Sequence, residues 1–248
     1  MKEDYWLDRW KRGETAFHQG EINPYLRQYW PELGLVPGSM VFVPLCGKSR
    51  DMLWLRAQGH PVLGIELSSM AAEAFFVENG LAPKRIRSEK FDCYEADGIR
   101  ILCGDFFDLD KAELASVHAI YDRGALIALP PETRKRYAAH LLGILPVLPL
   151  QPASPTVLPA SAVSSSIQML LITLDYPAGE MEGPPFAVPP EEVEALYKNK
   201  KSKAHADIRL LLHEDVLEEN PRFQERGLSR LAENIFLLRF EAGGRPGP

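Results

Sequence analysis

The sequence predicts an α/β fold, a three-layer sandwich in which helices cover both faces of a mainly parallel sheet. Compact apolar runs alternate with helical segments along the chain, which is the pattern of strands joined by crossover helices. The 248 residues, 46% of them hydrophobic, suffice for one sizeable domain with its own core. The last two strands are joined without an obvious crossover helix, so we expect an antiparallel pair at one edge of the sheet.

Each element has a local signal. Ser68 and Gly80 bracket one helix as N-cap and C-terminal stop, Pro24 suits the first turn of another, and Asp97-Gly98 predicts the tight turn of a hairpin. Predicted helices are Asp4–Lys11, Pro24–Trp30, Arg50–Gln58, Met70–Asn79, Pro131–Leu145 and Glu191–Tyr197. Predicted strands are Met40–Pro44, Pro61–Glu66, Phe91–Glu95, Ile99–Leu102, Val117–Tyr121, Met169–Leu174, Ile208–Leu212 and Asn234–Arg239.

Composition excludes several function classes. A net charge of −6 disfavours a nucleic-acid surface, which is normally basic. Cys46, Cys93 and Cys103 form no CxxC or Cys/His cluster, so neither a metal site nor a disulfide framework is expected. The uncharged stretch between His140 and Asp175 is interrupted by five prolines, and we predict no membrane span. The charged start lacks the apolar run of a secretory signal, which predicts a cytoplasmic protein. We also expect a monomer.

One domain over residues 1–248 accounts for the whole chain. Residues 1–36 are expected to form a helical cover over the active site. Residues 147–168 are rich in Pro and Ser and predict a surface insert, and residues 241–248 predict a flexible tail. The segment from Lys198 to Ala206 is strongly basic.

The loop after the first strand and an acidic residue at the end of the second indicate a nucleoside-containing cofactor. Pro44 to Ser49 contain only one glycine, Gly47, and Glu66 follows about 20 residues later, where a carboxylate can bind ribose hydroxyls. A solvated glutamate after an ordinary turn is the alternative. The loop lacks the GxGxxG pattern because Gly47 is its only glycine. It also lacks the P-loop pattern, because Phe42 occupies the position where that pattern requires its first glycine. The missing glycines favour S-adenosylmethionine, which has no phosphate, over NAD.

Two later strands also end in chemistry-bearing residues. Asp105 and Phe106 follow one strand and could border an adenine, while Asp122 and Arg123 follow the next. A sheet of this class presents its active residues at the carboxyl ends of its strands. A structural salt bridge is the alternative for the second pair.

Several blocks of sequence identify a family. They are WLDRWKRGETAFHQGEINP, VPLCGKSRDMLWL, GHPVLGIELS, ILCGDFFDL, YDRGALIALPPETRKRYA, LLITLDYPAGEMEGPPF and PRFQERGL. In this order they resemble the bacterial thiopurine S-methyltransferases, from Trp6 to Leu145 and again from Leu170 to Arg239. The resemblance implies a class I S-adenosylmethionine-dependent methyltransferase (Rossmann-like) fold, with a seven-stranded, mainly parallel sheet and an antiparallel edge pair.

The resemblance also implies residue roles. Cofactor contacts are implied at Trp10, Leu45, Glu66 and Arg123, with Asp105 and Phe106 beside the adenine. Substrate contacts are implied at Phe17, Arg123 and Arg222. Asp122 and Arg123 are implied as neighbours of the reacting sulfur. Because the acceptor must react as a thiolate, we expect a positive charge from Arg123 or Arg222 to lower its pKa, and Asp122 to accept its proton.

The expected reaction transfers a methyl group from S-adenosylmethionine to the sulfur of an aromatic or heteroaromatic thiol such as a thiopurine, leaving S-adenosylhomocysteine. The partner is therefore a small molecule. Selenium or tellurium compounds are an alternative acceptor, because they are equally soft nucleophiles. A cofactor-binding protein without catalysis and an NAD-dependent oxidoreductase are alternatives of other classes.

Overall fold

The computed structural model describes residues 3–14, 18–146, 166–198 and 204–242. Within these residues the chain forms a nine-stranded sheet. The strands are β1 (Met40–Val43), β2 (Val62–Glu66), β3 (Lys84–Arg87), β4 (Asp92–Ala96), β5 (Ile99–Cys103), β6 (Val117–Arg123), β7 (Ile167–Asp175), β8 (Ala204–Asp215) and β9 (Ala232–Ala242). Their order in the sheet is β3-β4-β5-β2-β1-β6-β7-β9-β8.

The centre of the sheet is parallel and both ends are antiparallel. β5, β2, β1, β6 and β7 run parallel to one another. β9 lies antiparallel to both β7 and β8, which confirms the predicted edge pair. Because β9 is antiparallel, its first residues lie at the same edge as the carboxyl ends of the parallel strands. Leu174 near the end of β7, for example, pairs with Glu233 at the beginning of β9.

The prediction of seven strands is wrong in number. The seven strands that the resemblance implies correspond to β5-β2-β1-β6-β7-β9-β8. Beyond β5 the sheet continues antiparallel with β4, which the local pattern at Phe91–Glu95 predicts, and with β3, which was not predicted. All four residues of β3, Lys-Arg-Ile-Arg, are exposed, so the strand has no apolar alternation that sequence reading could detect. The predicted hairpin between β4 and β5 is confirmed. Asp97 and Gly98 both have positive φ, as a tight two-residue turn requires.

Helices cover both faces of this sheet. They are α1 (Glu3–Lys11), α2 (Pro24–Tyr29), α3 (Asp51–Ala57), α4 (Ser69–Glu78), α5 (Ala125–Ala128), α6 (Pro131–Ile144), α7 (Pro190–Tyr197) and α8 (Pro221–Gln224). The six predicted helices are found within one or two residues of their predicted ends. The short helices α5 and α8 were not predicted, because four residues carry no periodic signal.

Local capping explains where several helices begin. The Oγ of Ser68 accepts a hydrogen bond from the backbone N–H of Ala71 at 3.3 Å, as predicted for this N-cap. The side-chain oxygen of Asn23 accepts from the N–H groups of Tyr25 and Leu26, so α2 begins at Pro24. Such caps satisfy backbone donors that the first helical turn leaves without partners.

Two large clusters of buried side chains lie on the two faces of the sheet. The first packs β1, β6 and β7 against α6 and α7, with Phe42, Ile120, Tyr137 and Met169 among its members. The second includes Val41, Tyr121 and Ile172 and packs the other face against α2, α3 and α4. The three layers that the sequence predicted are therefore confirmed.

Two predicted boundaries shift and others cannot be compared. β7 begins at Ile167, inside the predicted insert, and β9 extends to Ala242, into the predicted tail. Residues 147–165 and 243–248, and most of the basic segment before β8, lie outside the described residues. None of the helices in the described part of the chain is long and apolar enough to cross a membrane.

Candidate active site

A cavity of about 480 Å³ lies at the carboxyl ends of the parallel strands. Its size falls in the range of roughly 300–1,000 Å³ that is usual for small-molecule sites. The loop after β1, the ends of β2 and β6, and the region around α1 and α8 all contribute to its wall. Of the predicted site residues it is lined by Trp10, Leu45, Gly47, Glu66, Arg123 and Arg222.

Glu66 ends β2 with its carboxylate held by backbone donors. The N–H of Gly47 donates to Oε2 at 2.9 Å and the N–H of Ser68 donates to Oε1 at 2.8 Å. Burial raises the pKa of Glu66, and the hydrogen bonds from Ser68 and Gly47 counteract that rise. A carboxylate has about four acceptor positions, so each oxygen can still accept a ribose hydroxyl. The two N–H groups orient the carboxylate for that role.

The loop between β1 and α3 approaches the cavity with its backbone. Leu45 and Gly47 both have positive φ, 45° and 53°, which is an unusual conformation for the branched residue. A Cβ atom on Gly47 would lie 3.4 Å from the ring of Trp10, which projects from α1 into the same wall. The ring of Trp10 therefore packs directly beside the bare backbone of Gly47, and the two form one continuous part of the cavity wall, where a π face would favour a cationic sulfonium.

The buried carboxylate of Asp51 holds the guanidinium group of Arg123 in place. Nη2 of Arg123 lies 3.4 Å from Oδ2 of Asp51, whose side chain is only 1% exposed. The same Oδ2 accepts from the hydroxyl of Tyr121 at 2.9 Å, and Oδ1 accepts from the backbone N–H of Asn23 at 2.8 Å. The Nε of Arg123 is buried without a hydrogen-bond partner among the described residues. Asp51 thus connects the N-terminal segment to the arginine at the end of β6.

Two further arginines lie at the other end of the cavity. Arg222 and Arg226 both line it, and their guanidinium groups lie 4.7 Å and 5.9 Å from the ring centroid of Phe223. Pro184 and Pro185, from the segment between β7 and α7, complete this wall. The arginines and the apolar surfaces of the prolines suit a flat, partly anionic molecule. We call this region, together with Arg123, the acceptor end.

A second glutamate lines the cavity at the acceptor end. Glu233 lies at the beginning of β9, half-buried, and the hydroxyl of Tyr25 is among the groups that act on it. Burial raises the pKa of Glu233, while Tyr25 and Arg123 oppose the rise. Sequence reasoning missed this residue. The predicted antiparallel edge was the available signal, since it brings the start of the last strand to the active edge.

The structure does not bring Asp122 to the cavity. Its side chain is fully buried and is not among the cavity-lining residues. Oδ1 accepts from the backbone N–H groups of Ala125 and Leu126, both at 3.2 Å, and Oδ2 accepts from the hydroxyl of Tyr137 at 2.7 Å. Alternation along β6 explains this: Asp122 and Arg123 are adjacent and point to opposite faces. Asp122 supports the start of α5, and its expected role as proton acceptor at the sulfur does not fit this position.

Asp105 and Phe106 also lie outside the cavity wall. Oδ1 of Asp105 accepts from the N–H of Phe107, capping a short 3-10 turn. Phe106 is 5% exposed and packs at 4.6 Å from the ring of Tyr137. The predicted contact with adenine stays a prediction for this pair. Phe17, predicted to cover cofactor and substrate, lies outside the described residues.

Other cavity residues were not predicted as site residues. Arg226, which lines the cavity, and Asp51, which lies behind it in contact with Arg123, were overlooked although they belong to recognised blocks, PRFQER and PLCGKSRD. His18 lines the cavity too, and burial followed by the charge of Lys48 lowers its pKa. Trp6 and Arg9 on α1 extend the same wall as Trp10.

Comparison with known sequences identifies the family. The profile of the thiopurine S-methyltransferase (TPMT) family matches residues 1–149 and 159–241. The chain belongs to the thiopurine S-methyltransferase family. Among its relatives, the thiopurine S-methyltransferase of Nitrosospira multiformis is 60% identical over 96% of this chain and 98% of the relative. That of Pseudomonas paraeruginosa is 47% identical over 96% of this chain and 99% of the relative.

Solved structures agree on the fold. The 1,6-didemethyltoxoflavin-N1-methyltransferase of Burkholderia thailandensis, solved with S-adenosylhomocysteine, superimposes with a TM-score of 0.56 at 14% identity, over 96% of this chain and 87% of that one. A mycolic acid cyclopropane synthase complexed with S-adenosylhomocysteine gives a TM-score of 0.53 at 14% identity, over 86% of this chain and 82% of that one. The predicted methyltransferase fold is confirmed, and the chain is an S-adenosylmethionine-dependent S-methyltransferase.

The cavity fits that cofactor. Glu66 is oriented for a ribose, Gly47 allows close approach of the backbone, and Trp10 can face the sulfonium. These are contacts of the kind that a nucleoside with a cationic sulfur requires.

Proposed function

We propose that this protein methylates the sulfur of aromatic and heteroaromatic thiols, such as thiopurines, within the cavity described above. One observation carries the proposal. Glu66 and Arg123, which suit the cofactor and the sulfur nucleophile respectively, line one cavity whose far end holds Arg222 and Arg226. A small flat acceptor with negative charge on sulfur is the ligand that best complements this arrangement of charges.

The residues act mainly by binding and orientation. The cofactor supplies an electrophilic methyl group on a positively charged sulfur. Arg123, held by Asp51, places a fixed positive charge beside the acceptor and thereby favours its thiolate form. Trp10 and the prolines of the acceptor end exclude water, and alignment of donor and acceptor near van der Waals contact lowers the barrier.

The proposal concerns sulfur rather than heavier elements. Selenium and tellurium acceptors share the soft character of a thiolate, but no feature of the described cavity favours them. A cytoplasmic location and a monomeric state stay predictions from the sequence.

Calorimetric titration with S-adenosylhomocysteine tests the cofactor half. We expect binding by the unaltered protein, and Glu66→Ala should weaken it roughly 100-fold or more, because two hydrogen bonds to a charged group are removed. Glu132→Ala is the control, since that carboxylate is 85% exposed on α6. A folded protein that binds no S-adenosylhomocysteine would contradict the proposal.

A second assay tests the acceptor. Methyl transfer from S-adenosylmethionine to a heteroaromatic thiol should be detectable as the thioether by mass spectrometry. Transfer to selenium compounds without any transfer to thiols would redirect the proposal to the alternative acceptor.

A further inference from the structure

Methylation of a heteroaromatic thiol removes a proton as well as adding a methyl group. Such acceptors exist largely as thiones, in which the proton sits on a ring nitrogen and the sulfur is doubly bonded to carbon. The neutral thioether product has lost that proton. A group in the cavity that accepts it during methyl transfer would act as a general base, which typically contributes about 10² to 10⁴ in rate.

The described wall of the cavity contains two carboxylates, Glu66 and Glu233. Both oxygens of Glu66 are engaged by backbone N–H groups at the cofactor end. Asp122 is buried outside the cavity and is already the acceptor of three hydrogen bonds. By position, Glu233 is therefore the carboxylate that can meet an acceptor molecule.

The register of the strands places Glu233 near Arg123 on the sheet. Arg123 pairs with Ile172 on β7, and Ile172 pairs with Ile235 on β9. Side chains paired across adjacent strands project from the same face, and residues two apart on a strand share that face. Glu233 therefore projects from the same face of the sheet as Arg123. It lies two residues closer to the strand ends at which the cavity is found.

The surroundings of Glu233 suit a proton acceptor. Four groups on neighbouring elements act on it: Tyr25, Arg123, Glu214 and Glu219. Burial, Glu214 and Glu219 favour the protonated form, whereas the Tyr25 hydroxyl and the Arg123 charge favour the ionised form. Glu214, its partner across β8 and β9, is exposed, and its Oε2 lies 3.5 Å from the same hydroxyl. A carboxylate with a raised pKa is a stronger base than an exposed one.

His18 is the competing base in the cavity. Burial, and then the charge of Lys48, lower the pKa of its ring; Arg123 and Arg50 add to this effect, and Glu78 opposes it. A group whose protonated form is opposed by three cations is a poor acceptor. At Glu233 the balance is the opposite: burial, Glu214 and Glu219 favour the protonated form more than Tyr25 and Arg123 favour the anion, so its pKa is raised.

We propose that Glu233 accepts the proton of the heteroaromatic acceptor; this inference rests on the proposed function. The N–H electron pair becomes the ring C=N bond, and the C=S π pair moves to sulfur. The sulfur pair forms the new S–CH3 bond while the methyl–sulfonium bond breaks, which leaves two neutral thioethers. The proton moves to the Glu233 carboxylate, and Arg123 stabilises the charge on sulfur on the way.

The test compares Glu233→Gln with the unaltered protein on two acceptors. One is a thione that must lose a proton, and the other is an aromatic thiol whose thiol pKa lies well below the assay pH. With the thione, kcat/KM should fall about 100-fold or more, because an amide cannot accept the proton. The decrease of kcat/KM at low pH, which we call the acidic limb of its pH profile, should disappear. With the ionised thiol the loss should be small. Affinity for S-adenosylhomocysteine should be unchanged in the same variant.

Glu214→Gln is the matched control, since it removes the carboxylate opposite Glu233 that approaches the same tyrosine hydroxyl. It should keep both activities. Glu233→Asp, which retains a carboxylate, should restore part of the thione activity and the acidic limb, and serves if the glutamine variant does not fold.

Equal losses on both acceptors would overturn the proposal in favour of a purely positional role. Loss of the acidic limb in His18→Gln but not in Glu233→Gln would assign the base to the histidine. An unaltered protein that methylates the ionised thiol but not the thione would also overturn it, while leaving the proposed function intact. Failure to bind S-adenosylhomocysteine would instead contradict the proposed function.

Discussion

The two ends of the cavity are built in different ways. The cofactor end comes mainly from one stretch, Leu45 to Ser68, in which backbone N–H groups orient the Glu66 carboxylate. The acceptor end is assembled from side chains far apart in sequence, Arg123 on β6, Arg222 and Arg226 around α8, and Glu233 on β9. The first end uses backbone geometry, and the second uses charged side chains that can change independently.

The difference has a functional consequence. Backbone N–H groups are the same for every residue type, so an end built on them is insensitive to most substitutions but intolerant of changes in φ. Charged side chains at the acceptor end depend on supporting groups instead, as Arg123 depends on Asp51. Substitutions at the acceptor end should therefore alter methyl transfer while leaving cofactor affinity intact.

The largest effect on methyl transfer is expected for Arg123→Ala. Loss of a positive charge positioned at the nucleophile should reduce kcat with a thiol roughly 100-fold or more. Affinity for S-adenosylhomocysteine should fall much less. Steady-state kinetics and calorimetry on the same preparations measure both quantities, and Arg123→Lys, which keeps the charge without the planar fork, should be intermediate. Full kcat in the alanine variant would show that the charge is not used.

Asp51→Asn should have the next largest effect. Only the oxygen of the new amide can accept from the donors that converge on this buried carboxylate, so one donor is left unsatisfied, at a cost of about 1–3 kcal/mol in stability. With Arg123 less firmly anchored, kcat should fall about 10-fold. Thermal unfolding and kinetics measure the two effects. Asp108→Asn, at an exposed position, should change neither.

Gly47→Ala should act on the cofactor end alone. A side chain at φ 53° costs about 1–2 kcal/mol, so stability should fall and S-adenosylhomocysteine should bind several-fold more weakly. Gly143→Ala in α6 is the opposite case, because its Cβ would meet nothing within 4 Å. It should stabilise the protein by about 0.5–1 kcal/mol without altering binding. Unchanged affinity in Gly47→Ala would mean that this loop relaxes freely.

Asp122→Asn should have the smallest effect on methyl transfer, less than about threefold, because the amide can reproduce a cap for α5. Its effect on pH dependence should be clear. Burial raises the pKa of Asp122 from 3.8 to about 6. The folded state therefore holds a proton that the unfolded state has already lost, and stability falls as pH rises from 3.8 to about 6.

The contribution to stability is about 3 kcal/mol at most across that window, and it is absent in the asparagine variant. Unfolding by urea at several pH values measures it. A large loss of kcat in Asp122→Asn, together with an unchanged stability profile, would restore the proton-acceptor role that the sequence suggested.

Much of the fold could be predicted because its signals are local. Ser68 predicts the start of α4 and Asp97-Gly98 predicts the turn before β5. The buried parallel strands are recognisable as short apolar runs. The exposed strand β3 could not be predicted from its Lys-Arg-Ile-Arg sequence. It forms because β4 offers an unpaired edge, a property of the sheet rather than of the segment.

The site divides in the same way. Glu66 was found from its distance to the β1 loop, since both lie in one βαβ unit whose geometry is standard. Asp122 lies away from the cavity because adjacent residues on a strand point to opposite faces, and the sequence motif does not tell which one meets the cavity. Glu233 was overlooked because its closeness to Arg123 exists only through pairing of β6, β7 and β9.

The sequence by itself determined the α/β layers, the family and the cofactor, and it predicted Glu66 as a site residue, because those depend on local periodicity and on blocks of residues close in the chain. Only the tertiary structure decided which charges share the acceptor end. Arg123, Arg226 and Glu233 come together through strand order and the antiparallel direction of β9. Long-range pairing sets such contacts, and pairing depends on the whole sheet rather than on any one segment.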